Sequence, residues 1–226
     1  MIDVHVDLRP HFGPARDQGA RPTCLAFAAS DTHAGLREGW APLSCEYAFY
    51  RAQQRAGRSP LQGAVLPAML DALRFDGQPD EQGWPYAPTN PADPQLWKPP
   101  TPLGTRYGRN GAAAGIDLGA IVGTLDQQRP MMLLTMLSRS FYRPDGEGVV
   151  TPANDELPDP DLRHAVIAVG HGTVNGATAI LIRNSWGLAW GVEGHAWLTA
   201  QFLGRRLFAA ANLLEEVDVS SSPLAA

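Results

Sequence analysis

The sequence predicts an α+β fold, helices first and strands second, in two packed halves with a cleft between them. Three observations point there. Up to residue 128 apolar residues recur at helical spacing. From residue 131 onward they gather in short runs separated by Gly, Pro, Asn and Asp, and a proline-dense stretch interrupts the helical part. At 226 residues, 44% apolar and 18% charged, the chain can bury one large core or two small ones.

Leu25, Ala26, Phe27, Ala29 and Leu36 put one buried face on a helix over residues 23–37, ending at Gly39. Residues 43–58 repeat the pattern behind Ser44, an N-cap residue by type. Leu66, Met69, Leu70 and Leu73 make a third helix over 65–75, with Gly77 beyond its end. Residues 85–102 hold seven prolines, too many for a helix or a central strand. Trp84, Tyr86 and Trp97 mark this stretch as an ordered loop, since disordered linkers carry few aromatics. A helix over 117–128 follows, then strands at 131–137, 165–169, 179–183, 196–198 and 206–210. The expected layout is one domain over 1–218. Its helical half covers 13–115 and its β-rich half 116–218 plus the N-terminal strand, with a flexible tail at 219–226.

A formal charge of −5 argues against a broad nucleic-acid surface, which needs a basic excess. Two cysteines cannot staple a disulfide-rich scaffold, and His5, His11, His33, His171 and His195 have no ligand-like spacing, so no metal or other cofactor is expected. Asp155, Glu156, Asp159 and Asp161 read as a solvated surface. No apolar run reaches the roughly 18 residues of a membrane span, and residues 1–7 lack the pattern of a signal peptide. The expectation is a cytoplasmic protein, with export by an unconventional route left open.

Three segments carry chemistry. Cys24 opens the first predicted helix, where unpaired backbone N–H groups and the positive end of the helix dipole favour a thiolate. Such thiols can titrate at about 3.5–7.5 when a cation is also near. Taken alone, Cys24 reads equally as a small core residue. His164 sits at the mouth of the apolar strand Ala165-Val166-Ile167-Ala168-Val169, where a lone histidine is more often a satisfied core or edge residue. Asn184-Ser185-Trp186-Gly187-Leu188-Ala189-Trp190-Gly191 ends another strand in a turn rich in Trp and Gly.

Together these segments resemble the papain-like cysteine peptidases. The matching residues are Asp17-Gln18-Gly19, Cys24-Leu25-Ala26-Phe27, His164-Ala165-Val166 with Val169-Gly170, and Asn184-Ser185-Trp186-Gly187. Leu43-Ser44 and Trp84-Pro85-Tyr86 are weaker echoes, and the likeness spans residues 7–197. His164 falls 140 residues after Cys24, within the roughly 130–150 usual for such enzymes, and Asn184 lies slightly beyond it. The resemblance implies a papain-like fold, with Cys24 as nucleophile, His164 as acid and base, Asn184 as the orienting third member and Gln18 as oxyanion donor. Trp186 would shield the Asn184–His164 hydrogen bond. Gly63 and Ala64 would pair with the substrate backbone, and Val65, Leu66, Leu134 and Leu162 would line the pocket for the residue two positions before the cut. An apolar residue is expected there. Arg163, with Arg21 close by, would add a taste for acidic groups.

The likeness is to a bacterial-type variant without disulfides or prosegment. Arg21 and Leu25 replace the Cys and Trp common in the family, and Cys45 reads as a buried, unpaired thiol, which fits a reducing compartment. With Asp7-Leu8-Arg9 so near Met1, restraint by narrow specificity, the cleft itself or an inhibitory or regulatory partner is expected. One option is the end Leu224-Ala225-Ala226 lying in the cleft. The expected activity is peptide-bond hydrolysis through a thioester acyl-enzyme, as an endopeptidase on a peptide or protein substrate, with no nucleic acid or membrane partner. A dedicated maturation protease, transpeptidase or amidase on the same triad is the alternative, or a non-catalytic peptide-binding module.

Overall fold

In the computed structural model residues 1–219 are described, and 220–226, including the Leu224-Ala225-Ala226 end, lie outside the described residues. Helix α1 (Cys24–Gly35) is the axle of the molecule, packed between helices α2 (Cys45–Ala56) and α3 (Leu66–Asp71) and the sheet. One buried face was expected. Instead every residue of α1 after Cys24 is buried, Ser30, Asp31, Thr32 and His33 included. Small residues make this possible: a Cβ on Gly35 would stand 2.6 Å from the Phe12 ring. Ser30 Oγ on this helix donates to the Leu43 carbonyl at 2.8 Å and His33 Nδ1 pairs with Gln78 at 3.1 Å, while Thr32 Oγ1 and His33 Nε2 are buried without a partner.

The second helix has the expected cap, Ser44 Oγ accepting from the Tyr47 N–H at 3.1 Å, and ends at Gly57 with φ 60°. The third is shorter than expected. It begins at Leu66-Pro67 and widens into a π turn over Ala72–Asp76. Asp76 fastens that turn to α2 by accepting from Arg51 and Arg55, each at 2.6 Å. The proline-dense loop is held by aromatic packing as expected, Trp97 meeting Phe49, Tyr50 and Trp84 and donating to Glu46 at 2.7 Å.

Strands β2 (Gly108–Ala113), β3 (Met131–Leu137), β4 (Val149–Val150), β5 (Asp159–Val174), β6 (Ala177–Arg183), β7 (His195–Thr199) and β8 (Leu207–Val217) form one sheet in the order β2-β8-β3-β5-β6-β7-β4. Strand β1 (Ile2–Asp7) pairs with the far end of β5. All pairings are antiparallel except β4–β7. Helix α4 (Leu118–Asp126) is capped by Asp117, and α5 (Ala200–Arg206) leads into β8.

The sheet departs from expectation in three places. The six residues of β2, Gly-Arg-Asn-Gly-Ala-Ala, lie in the stretch read as helical yet pair with β8, because no β-branched or aromatic side chain announces them. Residues 206–210 divide between the end of α5 and the start of β8. Strand β5 runs through Gly170 and Gly172, past the end expected at Val169. A Cβ at either would meet a β1 carbonyl, at 2.3 and 2.1 Å, so these glycines let β1 cross closely.

Candidate active site

Cys24 is the first residue of α1 and stays partly exposed. Thr23, at the N-cap, lends no side-chain bond to the helix, its hydroxyl being paired with Tyr86 at 2.9 Å. The amides of the first turn therefore remain open beside the thiol. Burial pushes the Cys24 thiol up, and backbone amides at Ala165 and Leu25 oppose that push.

His164 lies on β5 opposite Thr135 of β3, and Asn184 follows the last residue of β6. The two meet at 2.7 Å between His164 Nε2 and Asn184 Oδ1. The same oxygen accepts the Ser185 N–H at 2.8 Å, which fixes the orientation of the amide. An amide oxygen only accepts, so Nε2 carries the hydrogen and Nδ1 is left as the basic nitrogen. Trp186 covers the pair, its ring 4.7 Å from the imidazole, and Phe141 closes a second side at 5.7 Å. Burial drives the His164 imidazolium down, to about 4, against the favourable bond to Asn184. Each partner of a Cys24–His164 pair alone prefers its neutral form, so charge separation depends on mutual attraction.

Gln18 is brought to the Asn184 turn by a short bridge between Asp17 and Trp186, with Gln18 N–H donating to Ser185 O at 2.8 Å and Gly187 N–H to Arg16 O at 3.1 Å. Its Nε2 donates to the Arg21 carbonyl at 2.8 Å, and its Oε1 accepts from the Ser185 hydroxyl at 2.6 Å. An amide nitrogen has two hydrogens, so one remains. Ser185 stood inside the sequence motif without a role; its hydroxyl sets the orientation of Gln18.

Cys24 and His164 face a cleft of about 540 Å³. Gly63, Ala64, Val65, Leu66, Leu134 and Arg163 line it as well, while Gln18 and Trp186 flank the Asn184 turn. Leu162 is a correction. It is 43% exposed and turns into a separate depression with Arg139, Tyr142 and Leu157, because strand alternation sends it opposite to its neighbours Asp161 and Arg163. Phe208, unanticipated because it lies in β8 far along the chain, joins the cleft lining, with Arg163 over its ring at 5.4 Å.

Two further expectations change. Arg21 is 1% exposed and clasps Glu46 at 2.6 and 2.9 Å and the Ala87 carbonyl at 2.6 Å, so it cannot reach a substrate. Glu156 is not part of a solvated surface: it accepts from Ser140 N–H and Oγ, each at 2.8 Å. Burial works to raise its carboxyl, yet hydrogen bonds from Ser138 and Ser140 outweigh it and hold the group at about 2. Cys45 is buried and unpaired, its thiol pushed well up by burial. His171 pairs with Asp126 at 2.8 Å. Among the described residues no group of three or more His, Cys, Asp or Glu could hold a metal, and no helix is long and apolar enough to cross a membrane.

The family model described as papain family cysteine protease matches residues 105–204. A cysteine protease of Blomia tropicalis is 29% identical over 204 residues, which are 81% of this chain and 56% of that protein. The oryzain gamma chain of Oryza sativa subsp. japonica is 26% identical over 189 residues, 80% of this chain and 50% of its own. The chain thus spans about half the length of these relatives. Among solved structures, xylellain, a cysteine protease from Xylella fastidiosa, superposes with a TM-score of 0.75 at 21% identity, covering 94% of this chain and 86% of that one.

Proposed function

We propose that this chain, which is similar to cysteine proteases of the papain family, hydrolyses peptide bonds through a Cys24–His164–Asn184 triad. The observation that carries this reading is the 2.7 Å bond from His164 Nε2–H to Asn184, which leaves Nδ1 basic on a cleft shared with Cys24. His164 Nδ1 takes the Cys24 proton as the thiolate attacks the substrate carbonyl carbon. The Cys24 N–H and the remaining hydrogen of Gln18 Nε2 donate to the tetrahedral oxyanion, each worth about 2.7–4 kcal/mol in comparable sites. Collapse breaks the C–N bond, and His164 hands its proton to the leaving amine, giving a thioester. Water, deprotonated by His164, then releases the acid and restores the thiol.

The chain acts as an endopeptidase on an extended peptide or protein segment. Gly63 and Ala64 offer backbone to it, and Val65, Leu66, Leu134 and Phe208 favour an apolar residue two positions before the cut. The test is labelling by an electrophilic peptidyl epoxide. Modification mapped to Cys24, lost in Cys24→Ala and strongly slowed in His164→Ala, supports the reading. A folded protein whose Cys24 stays unlabelled overturns it in favour of a peptide-binding module. Cleavage of peptides blocked at both ends separates endo- from exo-action.

A further inference from the structure

We infer that Asp31, with Arg16 and Arg183, is a positioning residue for the proposed reaction: its buried carboxylate fixes the reach between the nucleophile helix and the two segments that carry Gln18 and Asn184. The inference rests on the reading above and adds residues to which that reading assigns nothing.

Three parts of the chain converge on this carboxylate. Asp31 lies on α1 seven residues after Cys24, about 10 Å along a rigid helix. Arg16 stands two residues before Gln18, and its Nε donates to Asp31 Oδ1 at 2.8 Å with Nη2 at 2.5 Å from the same oxygen. Arg183 immediately precedes Asn184, and its Nε donates to Asp31 Oδ2 at 3.0 Å. Each carboxylate oxygen thus holds one arginine. The other ends of both forks grip backbone. Arg183 donates to the carbonyls of Gly13 at 2.8 Å and Pro14 at 2.7 Å, in the segment that leads to Gln18. Arg16 reaches Leu43 O and Glu81 Oε2, tying in the start of α2. Asp31 and Arg183 also border a small internal gap together with Asn184 and with Ala165, the residue after His164.

The placement crosses the boundary between helices and sheet, since Asp31 and Arg183 are 152 residues apart in sequence. Both side chains are almost wholly buried, at 5% and 1% exposure, and Arg16 is at 17%. Two arginines against Asp31 and Glu81 leave the cluster neutral. Buried ion clusters of this kind often stabilise no better than packed apolar side chains would. What apolar contacts lack is directional registry, and this cluster imposes it where three chemistry-bearing segments meet.

The test compares Asp31→Asn, Asp31→Glu and Arg183→Lys with the wild type. Asp76→Asn is the control, since it also removes a buried carboxylate shared by two arginines, Arg51 and Arg55. The readouts are kcat and KM on a cleaved peptide, the melting temperature, and the pH profile of Cys24 alkylation by iodoacetamide mapped by mass spectrometry. Asp31→Asn lowers kcat on the order of 100-fold, the scale of an ångström-sized misplacement, with KM near wild type. It also loses the part of the alkylation rate that persists on the acid side, where only a thiolate paired with imidazolium reacts. Asp31→Glu recovers part of both. Arg183→Lys keeps the charge but drops the grip on Gly13 and Pro14, and loses kcat likewise. Asp76→Asn lowers the melting temperature and leaves kcat and the alkylation profile unchanged.

Wild-type kcat and alkylation profile in Asp31→Asn and Arg183→Lys, whatever their melting temperatures, would overturn the inference, as would a loss confined to KM. If Asp31→Asn does not fold, Arg183→Lys decides alone. If the wild type cleaves no peptide, the hydrolytic reading fails, and the alkylation profile still decides the role of Asp31.

Discussion

The Nε2–H of His164 donates to Asn184 Oδ1 across 2.7 Å in a buried contact roofed by Trp186. Because the oxygen is also held by the Ser185 N–H, the amide cannot turn over, and the imidazole is confined to one tautomer. A hydrogen bond to a charged partner is worth about 1.5–3 kcal/mol, so Asn184→Ala should lower kcat by about 10- to 100-fold. Asn184→Asp should raise the imidazolium pKa and carry the alkaline limb of the pH–rate curve upward. Steady-state rates across pH check both.

Ser185→Ala removes the hydroxyl that orients Gln18 at 2.6 Å and leaves the nucleophile untouched. With one neutral hydrogen bond lost, about 0.5–1.5 kcal/mol, kcat should fall by about 2- to 10-fold and KM should hold. A change confined to KM would contradict the assignment of Gln18 to the oxyanion.

Phe208→Ala empties part of the cleft lining and frees Arg163 from the ring beneath it. Peptide-library profiling should then show tolerance of larger, aromatic residues two positions before the cut. It should also show improved acceptance of acidic ones, drawn by the released guanidinium.

Arg21→Ala strands the Glu46 carboxylate in the interior, with only Trp97 Nε1 and the Ala87 N–H left to answer it. Breaking a buried pair costs about 3–5 kcal/mol, which denaturant titration will register as a lower midpoint. Since the same loop leads into Cys24, its alkylation rate should change as well.

Mild acid should destabilise the fold through its buried histidines. Burial holds His33 down to about 3 and His195 to about 4, and neither has a partner at Nε2 to favour protonation. Below about pH 6.5 the unfolded chain binds protons that the folded chain refuses, so stability is full above that value and declines as pH falls toward 4 and 3. Each histidine contributes a slope of up to about 1.4 kcal/mol per pH unit. Glu156 adds to the loss only below its ordinary value of 4.5, since its folded pKa is about 2. Urea midpoints between about pH 7.5 and pH 4.5 should track this, with a shallower slope in His195→Gln.

Several parts of this molecule were legible in one dimension. Strand β3 occupies 131–137 as read, and α2 lies behind its Ser44 cap, because periodicity and caps act within a few residues of themselves. The candidates Gln18, Cys24, His164 and Asn184 stand out for the same reason, each sitting in a short run of characteristic neighbours. The structure brings His164 against Asn184, sets Cys24 on the same cleft and ties Gln18 to Ser185.

What the sequence by itself determined, then, was the main helices, the apolar central strands and the local motifs, which follow from nearest-neighbour physics. Only the tertiary structure decided which side chains face one another across the chain. It turned Leu162 away from the cleft and brought Phe208 in, buried Arg21 on Glu46, let β5 run past its glycines beneath β1, and joined Asp31 to Arg183. A charge or a strand edge has no fixed meaning until its partner is known, and these partners arrive from segments remote in the sequence.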